Sequence, residues 1–363
     1  MKFIALTVIL SLFFLGCSLL PVDEKISPTH NGPKVVTAQD LPPDVNSPHK
    51  MENSQSFVEE RDSTMEHNAE KQAVLQSFCK KINGAFGKYK WDHDIVCNPG
   101  RWTYDHLTSG GNPLLYATFF NPQGKNTTLF MCAVHGDEVT SAYMCIRLVR
   151  DILFDNPQEY RETNIVVAPF LNPDGLLKDR PSRVNLNGVD VNRNFPTSDW
   201  DKLAIKSWKK DFKGHAKWNP GTKGGSEIET QFQIELIERF RPDKIISVHS
   251  PYGFFDFDIA LNSKNNNFIQ LREETKTLAK EMGQRSSFRV NKFGYFPGSL
   301  GNYAGNERSI PTFTLELPGS ESHKALAYWK RFKKSLVYLA QYDFKTRLAK
   351  TPELKKVKEE KKF

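Results

Sequence analysis

The stretch TTLFMCAVHGDE at residues 127–138 decides the fold class of this chain. Residues 127–134 form an apolar run of strand length, and residues 138–154 have apolar side chains at helical spacing. Outward from this pair, similar patterns predict strands at 164–170, 244–248, 259–261 and 312–317, and helices at 226–240, 268–282 and 323–342. Buried strands that alternate with helices indicate an α/β domain with a largely parallel sheet.

Metal-ligating residues follow two of these strands. His135 and Glu138 come directly after the strand at 127–134, and His249 follows the strand at 244–248. Ligands of such sheets bind at the carboxyl ends of the strands, where these residues would meet. An HxxE spacing alone is weak evidence, because a histidine at a strand end is usually just hydrogen-bonded. Two histidines and a glutamate from two strands predict one zinc ion, held in the manner of zinc hydrolases.

Two further features favour a hydrolytic site for a substrate with a free carboxylate. Asn192 and Arg193, in GVDVNRNF at 188–195, offer an amide and a planar fork of donors, which suits a carboxylate. Glu316 is an acid on an otherwise apolar strand, where burial would be costly. A position facing the metal would raise its basicity, as a general base requires.

Five motifs in order resemble the zinc carboxypeptidase family: HxxE at 135–138, NPDG at 172–175, GVDxNRN at 188–194, SxHS at 247–250 and TxEL at 314–317. The resemblance covers roughly residues 100–342. It implies a single domain with a twisted mixed sheet, largely parallel at its core, and helices on both faces. The motif HGDE at 135–138 and the stretch FPGSLG at 296–301 resemble the bacterial murein peptide amidase branch.

The resemblance also implies a role for each matched residue. Asp190 would hold the first zinc histidine in one tautomer, and Arg183 would polarise the scissile carbonyl, with Arg180 as the alternative. The tyrosine that digestive members place over the substrate has only Tyr295 and Tyr303 as candidates, and packing explains both equally well. The remaining roles are zinc ligation by His135, Glu138 and His249, proton transfer by Glu316, and binding of the substrate carboxylate by Asn192 and Arg193.

The murein peptide amidase branch implies cleavage of the γ-D-glutamyl–diaminopimelate bond in peptidoglycan stem peptides. We expect Asp258 to select the ammonium group of diaminopimelate, with Asp256 as a weaker candidate on the same strand face, and Ser299 to contact substrate. Three alternatives stay open: an LD- or DL-carboxypeptidase that trims the stem peptide, a general metallocarboxypeptidase, and a non-catalytic wall-binding module.

The ends of the chain predict export and anchoring. Residues 1–16 have the basic start and short apolar core of a secretory signal, and FLGC at 14–17 resembles a lipobox that would make Cys17 the lipidated N-terminus. An ordinary cleaved signal is the alternative. We expect a Pro-rich linker at 17–70, a catalytic domain at 71–345, a charged tail at 346–363, and a location on the periplasmic face of the outer membrane.

Composition limits the remaining classes of function. The chain has 363 residues, 39% hydrophobic and 25% charged, which excludes wholesale disorder. A net charge of +8 could suit nucleic acid, but no such motif is present and export argues against it. In an oxidising compartment Cys79 and Cys97 could pair, whereas Cys132 and Cys145 are expected to be free and buried. We expect a monomer.

Overall fold

The computed structural model describes residues 54–91, 97–260 and 265–346. The predicted signal, Cys17, most of the predicted linker and most of the charged tail lie outside the described residues.

Within the described residues, seven strands form one mixed sheet in the order β1-β2-β4-β3-β5-β7-β6. The four neighbours β4, β3, β5 and β7 are parallel, whereas β1, β2 and β6 run antiparallel to their partners. The expected mixed sheet with a parallel core is therefore confirmed. The strands are β1 (Thr103–Leu107), β2 (Pro113–Phe119), β3 (Asn126–Cys132), β4 (Thr163–Ala168), β5 (Lys244–His249), β6 (Phe254–Asp258) and β7 (Thr312–Glu316).

Apolar side chains leave both faces of this sheet, so each face is covered by helices. On β3, Phe130 and Cys132 belong to one buried cluster, while Leu129 and Met131 belong to the other. The first cluster includes α1 (Ser54–Gly87), α2 (Val139–Arg150), α6 (Asn266–Ser286) and α7 (Ala325–Gln341), and the second includes α5 (Ile228–Phe240). Two shorter helices, α3 (Pro173–Leu176) and α4 (Trp200–Lys210), lie between β4 and α5 in the chain.

The described helices were also compared with the length and hydropathy of a bilayer span. None of the helices in the described ranges is both long enough and apolar enough to cross a membrane.

Two element boundaries differ from the sequence analysis. The strand expected at 259–261 is wrong for its described residues, 259 and 260, because β6 ends at Asp258. The linker expected as far as residue 70 overlaps α1, which begins at Ser54. The last proline before this helix is Pro48, and Phe78 and Ile82 on its later turns pack into the core.

The four cysteines of the described residues form two disulfides. Cys79 is bonded to Cys97, the pair put forward from the sequence. The expectation of free thiols at Cys132 and Cys145 is wrong, since these residues are bonded to each other. Cys132 ends β3 on the face that α2 covers, and this packing brings the two Cα atoms to 6.2 Å.

The segments that follow β3 and β4 are held against each other. Asn172 donates its backbone N–H to the Ala133 carbonyl at 2.9 Å. A Cβ atom added at Gly136 would lie 2.2 Å from the carbonyl carbon of Gly175, so only glycine fits this approach of two backbones. The position of His135 and its following turn therefore depends on this close contact.

We expect Gly136→Ala to impair metal binding more than it impairs folding. The added methyl group must push the turn after His135 away from Gly175. This shift moves His135 and Glu138 relative to His249. Zinc content after dialysis and the midpoint of thermal unfolding would be measured on the same protein.

Gly84→Ala is the matched control. Gly84 is an exposed residue of α1 with no heavy atom within 4 Å of the added Cβ. Alanine there should stabilise the helix by about 0.5–1 kcal/mol and leave zinc content unchanged. Full zinc occupancy in Gly136→Ala would show that this contact does not position the ligands.

Candidate active site

Three side chains from separate parts of the sequence meet at the carboxyl edge of the central strands. His135 follows β3, Glu138 immediately precedes α2, and His249 is the last residue of β5. Their ligand atoms all lie within 4.8 Å of one another. Glu138 Oε1 is 2.7 Å from His135 Nδ1, and Glu138 Oε2 is 3.1 Å from His249 Nδ1. The structure thus brings together the three residues expected to bind the metal.

A further partner orients each imidazole. His135 Nε2 lies 3.1 Å from Asp190 Oδ1, and His249 Nε2 lies 2.9 Å from Ser247 Oγ. Burial alone would raise the pKa of Asp190, but Arg183 and His135 hold this pKa well below its usual range. Because an ionised carboxylate only accepts hydrogen bonds, Asp190 accepts from Nε2 of His135, and Nδ1 is the nitrogen that faces the other ligand atoms.

This donor set fits a zinc ion. Two imidazole nitrogens and one carboxylate are a common protein ligand set of catalytic zinc. Glu138 is only 4% exposed, and although burial opposes it, His135 and His249 hold the pKa of Glu138 well below its usual range. The buried carboxylates of Glu138 and Asp190 face a single guanidinium, that of Arg183. A cation among the three ligand atoms would offset the excess negative charge.

Glu316 lies beside these ligands because of strand register. It is the last residue of β7 and is paired with His249 on β5. Its side chain is buried, and the backbone N–H of Tyr252 lies 3.5 Å from its Oε2. Burial and the negative charge of Glu138 raise the pKa of Glu316. A raised pKa makes this carboxylate a better proton acceptor.

The structure distinguishes the two candidate arginines. Arg180 is exposed. Arg183 donates from Nε to Asp190 Oδ2 at 2.9 Å, and its Nη1 lies 3.1 Å from His135 Nδ1 and 3.3 Å from Glu138 Oε1. Only Arg183 therefore reaches the metal ligands.

Asn192 and Arg193 each have a donor without a partner among the described residues, although Arg193 Nη1 donates to the Asn192 backbone carbonyl at 2.7 Å. Asn192 Oδ1 accepts from the backbone N–H of Leu300 at 2.8 Å, and this contact orients its amide with the NH₂ group free. The Arg193 guanidinium lies over the ring of Phe296 at 4.6 Å, and its Nε is buried without a hydrogen-bond partner. Burial lowers the pKa of Arg193. No ion pair joins Arg193 to a carboxylate among the described residues, which suits it to an anionic ligand.

The two aspartates of β6 are both buried. Asp258 forms an ion pair with Lys292, whose Nζ lies 2.9 Å from Asp258 Oδ1. Asp256 Oδ1 accepts from the backbone N–H groups of Phe257 at 2.8 Å and Phe293 at 3.4 Å. The residue expected to select an ammonium group therefore already has a lysine partner within the chain.

The remaining candidates have structural contacts. Ser299 Oγ accepts from the backbone N–H of Asn302 at 3.2 Å. Tyr295 donates its hydroxyl to a backbone carbonyl, and Tyr303 is buried against Phe195 with ring centroids 5.2 Å apart. Each of the three therefore has a packing or hydrogen-bonding role within the chain.

Comparison with known proteins identifies the family. A family model described as zinc carboxypeptidase matches residues 98–340. The chain belongs to the zinc carboxypeptidase family. The expected enzyme class, a zinc-dependent metallopeptidase, is thereby confirmed.

Individual relatives are similar over parts of the chain. Murein peptide amidase A of Vibrio campbellii is 31% identical over 214 residues, which are 57% of this chain and 75% of that protein. The Escherichia coli K12 protein of the same name is 31% identical over 138 residues, 35% of this chain and 50% of its own length. The solved structure of thrombin activatable fibrinolysis inhibitor covers 71% of both chains at 18% identity with a TM-score of 0.54, and this likeness shows the fold.

Three contacts at the site were missed from the sequence. Ser247 lies two positions before His249 on β5, so strand alternation alone could have placed the two side chains on one face. The backbone of Leu300 holds Asn192 from 108 positions away, and Lys292 meets Asp258 across 34 positions. No local pattern links either of these pairs.

We expect Asp190→Asn to weaken zinc binding by about 10- to 100-fold, the usual effect of removing a partner behind a metal-binding histidine. The amide can present an N–H to His135, and it removes one of the ion pairs of Arg183. The dissociation constant would be measured by competition with a chelator.

Ser247→Ala is the matched control behind His249. It removes a neutral hydrogen bond, so its effect on zinc affinity should be smaller than that of Asp190→Asn. Equal or larger loss in Ser247→Ala would contradict an electrostatic role for Asp190.

Proposed function

We propose that this chain is a zinc-dependent amidohydrolase of peptidoglycan stem peptides, and that it cleaves the bond between γ-D-glutamate and diaminopimelate. The similarity to proteins named murein peptide amidase A supports this substrate class. Diaminopimelate in a tripeptide has a free carboxylate beside the scissile amide and a second amino-acid group at the end of its side chain. The charges around the metal ligands suit both features.

The unused donors of Asn192 and Arg193 are the observation that supports the proposal most directly. A bidentate carboxylate would satisfy the amide NH₂ of Asn192 and the guanidinium of Arg193. Bound there, the carboxylate fixes the distance from the end of the substrate to the metal ligands. Cleavage is then limited to the amide of the residue that bears this carboxylate.

The chain's own residues would move the protons of the reaction. Glu316 takes a proton from water at Oε1, the oxygen that the Tyr252 N–H does not contact, and later gives it to the leaving amine. The guanidinium of Arg183 donates to the carbonyl oxygen as negative charge develops there. His135, Glu138 and His249 would hold the zinc ion. When bound, zinc supplies Lewis-acid polarisation of the scissile carbonyl and of water.

Removal of a terminal residue from the stem peptide is the competing reaction. The same pair, Asn192 and Arg193, would hold the carboxylate of a terminal D-alanine equally well. Similarity to proteins named murein peptide amidase A favours the diaminopimelate bond over this reaction.

Digestion of purified muropeptides tests the proposed bond. We expect the tripeptide L-Ala-γ-D-Glu-diaminopimelate to give free diaminopimelate and the dipeptide, identified by mass. Loss of D-alanine from the tetrapeptide, with the tripeptide left intact, would instead establish the carboxypeptidase reaction and reject the proposed bond.

Glu316→Gln should retain zinc and lose turnover, because the amide cannot accept the proton from water. Exposed Glu162, which is paired with Lys125 on the surface, provides the control Glu162→Gln with unchanged activity. Substantial hydrolysis by Glu316→Gln with full zinc content would exclude Glu316 as the base.

We also propose that the protein is exported and held at the periplasmic face of the outer membrane by a lipid on Cys17. The signal pattern at 1–16 and the FLGC stretch support this location. Cys17→Ser should release the chain from the membrane fraction and abolish labelling by radioactive palmitate. An unchanged membrane fraction would contradict the lipid anchor.

A further inference from the structure

The Asp258–Lys292 ion pair lies beside the turn at residues 300–301, which also contacts the proposed carboxylate-binding residue Asn192. Lys292 Nζ is 2.9 Å from Asp258 Oδ1 and 2.7 Å from the Phe293 carbonyl. The Lys292 side chain is 29% exposed and that of Asp258 is 12% exposed. A ligand can therefore approach Lys292 from solvent, with Asp258 beneath it.

One backbone segment connects this pair to the residues that would hold the substrate carboxylate. A Cβ atom at Gly301 would lie 2.0 Å from Asp258 Oδ2, so the carboxylate occupies the space that a side chain at 301 would fill. The preceding residue, Leu300, donates its backbone N–H to Asn192. The carboxylate of Asp258 and the amide of Asn192 thus lie on two sides of the same short turn.

The surroundings of Lys292 hold its ammonium in place. The rings of Tyr295 and Phe257 lie 4.6 and 5.8 Å from Nζ. Asp256 adds a second buried carboxylate on the same strand face as Asp258. The group therefore consists of two acids and one fixed cation, and the cation lies on its more exposed side.

We propose that Lys292 is a specificity-determining residue that binds the distal carboxylate of a zwitterionic substrate side chain, while Asp258 binds the ammonium of the same side chain. This inference rests on the proposed function. The side chain of diaminopimelate ends in an α-amino-acid group, which has both charges on neighbouring atoms. A paired acid and base present the complementary arrangement, in which each protein charge faces an opposite charge of the ligand.

The pair also explains how a similar substrate would be excluded. The side chain of lysine ends in an ammonium group alone, and it would meet the like charge of Lys292 without a carboxylate to offset it. A lone Asp258 would favour that ammonium. Lys292 therefore acts through repulsion of lysine as well as attraction of diaminopimelate.

Calorimetry tests the inference. It measures the binding of free meso-diaminopimelate and of free L-lysine to the zinc-loaded protein. We expect Lys292→Met to weaken the binding of diaminopimelate about tenfold, the order of one charge-assisted contact. The same change should strengthen the binding of lysine. Lys292→Arg, which keeps the charge, should retain the preference for diaminopimelate. Asp258→Asn should weaken the binding of both ligands.

A loss of charge elsewhere provides the control. Lys125→Met removes a lysine that is ion-paired to Glu162 at 2.6 Å on the surface, and both affinities should stay unchanged. Lys292 does not select the substrate if Lys292→Met lowers the affinity for both ligands by the same factor. The same conclusion follows if the unmodified protein does not bind diaminopimelate more tightly than lysine. Failure of the proposed function has a different result, namely no cleavage of the tripeptide by the unmodified protein.

Discussion

The shared carboxylate of Glu138 is the interaction on which the rest of the site depends. It lies between His135 and His249, which come from the ends of two adjacent parallel strands, and it is almost completely buried. A buried charge of this kind is stable only with partners on every side. Asp190 and Arg183 complete the group, since each contacts His135 while they pair with each other. The metal ligands and the arginine proposed to polarise the substrate therefore form one electrostatic unit.

The positions of Asn192 and Arg193 depend on the same fold through different contacts. The segment after Asp190 is hydrogen-bonded to the 296–301 segment. The Phe195 backbone N–H donates to the Gly298 carbonyl, and the Leu300 backbone N–H donates to the side-chain oxygen of Asn192. Arg193 is stacked on Phe296 and keeps its guanidinium free of carboxylates among the described residues. Two segments far apart in sequence thus hold the side chains of Asn192 and Arg193 in place.

Much of the central architecture could be predicted because its signals are local. The four parallel strands are short apolar runs, and His135, Glu138, His249 and Glu316 are polar residues where such runs end. Elements with mixed composition were missed or misplaced. β6 has two buried aspartates, whose cost is offset by Lys292 and by the backbone N–H groups of Phe257 and Phe293. α1 has few apolar residues over its first turns, and the contacts of its later turns with the core decide its position. The Cys132–Cys145 bond depends on how α2 crosses β3.

The sequence by itself determined the family, the α/β class and the residues that can bind zinc, because ligand type and spacing at strand ends are readable along the chain. The tertiary structure alone decided which partners those residues have. It placed Arg183 beside His135 and Glu138, joined Asn192 to Leu300, and paired Asp258 with Lys292. The physical reason is that hydrogen bonds and ion pairs depend on distances of about 3 Å between atoms. Strand register and loop packing set those distances, and neither is encoded in any short stretch of sequence.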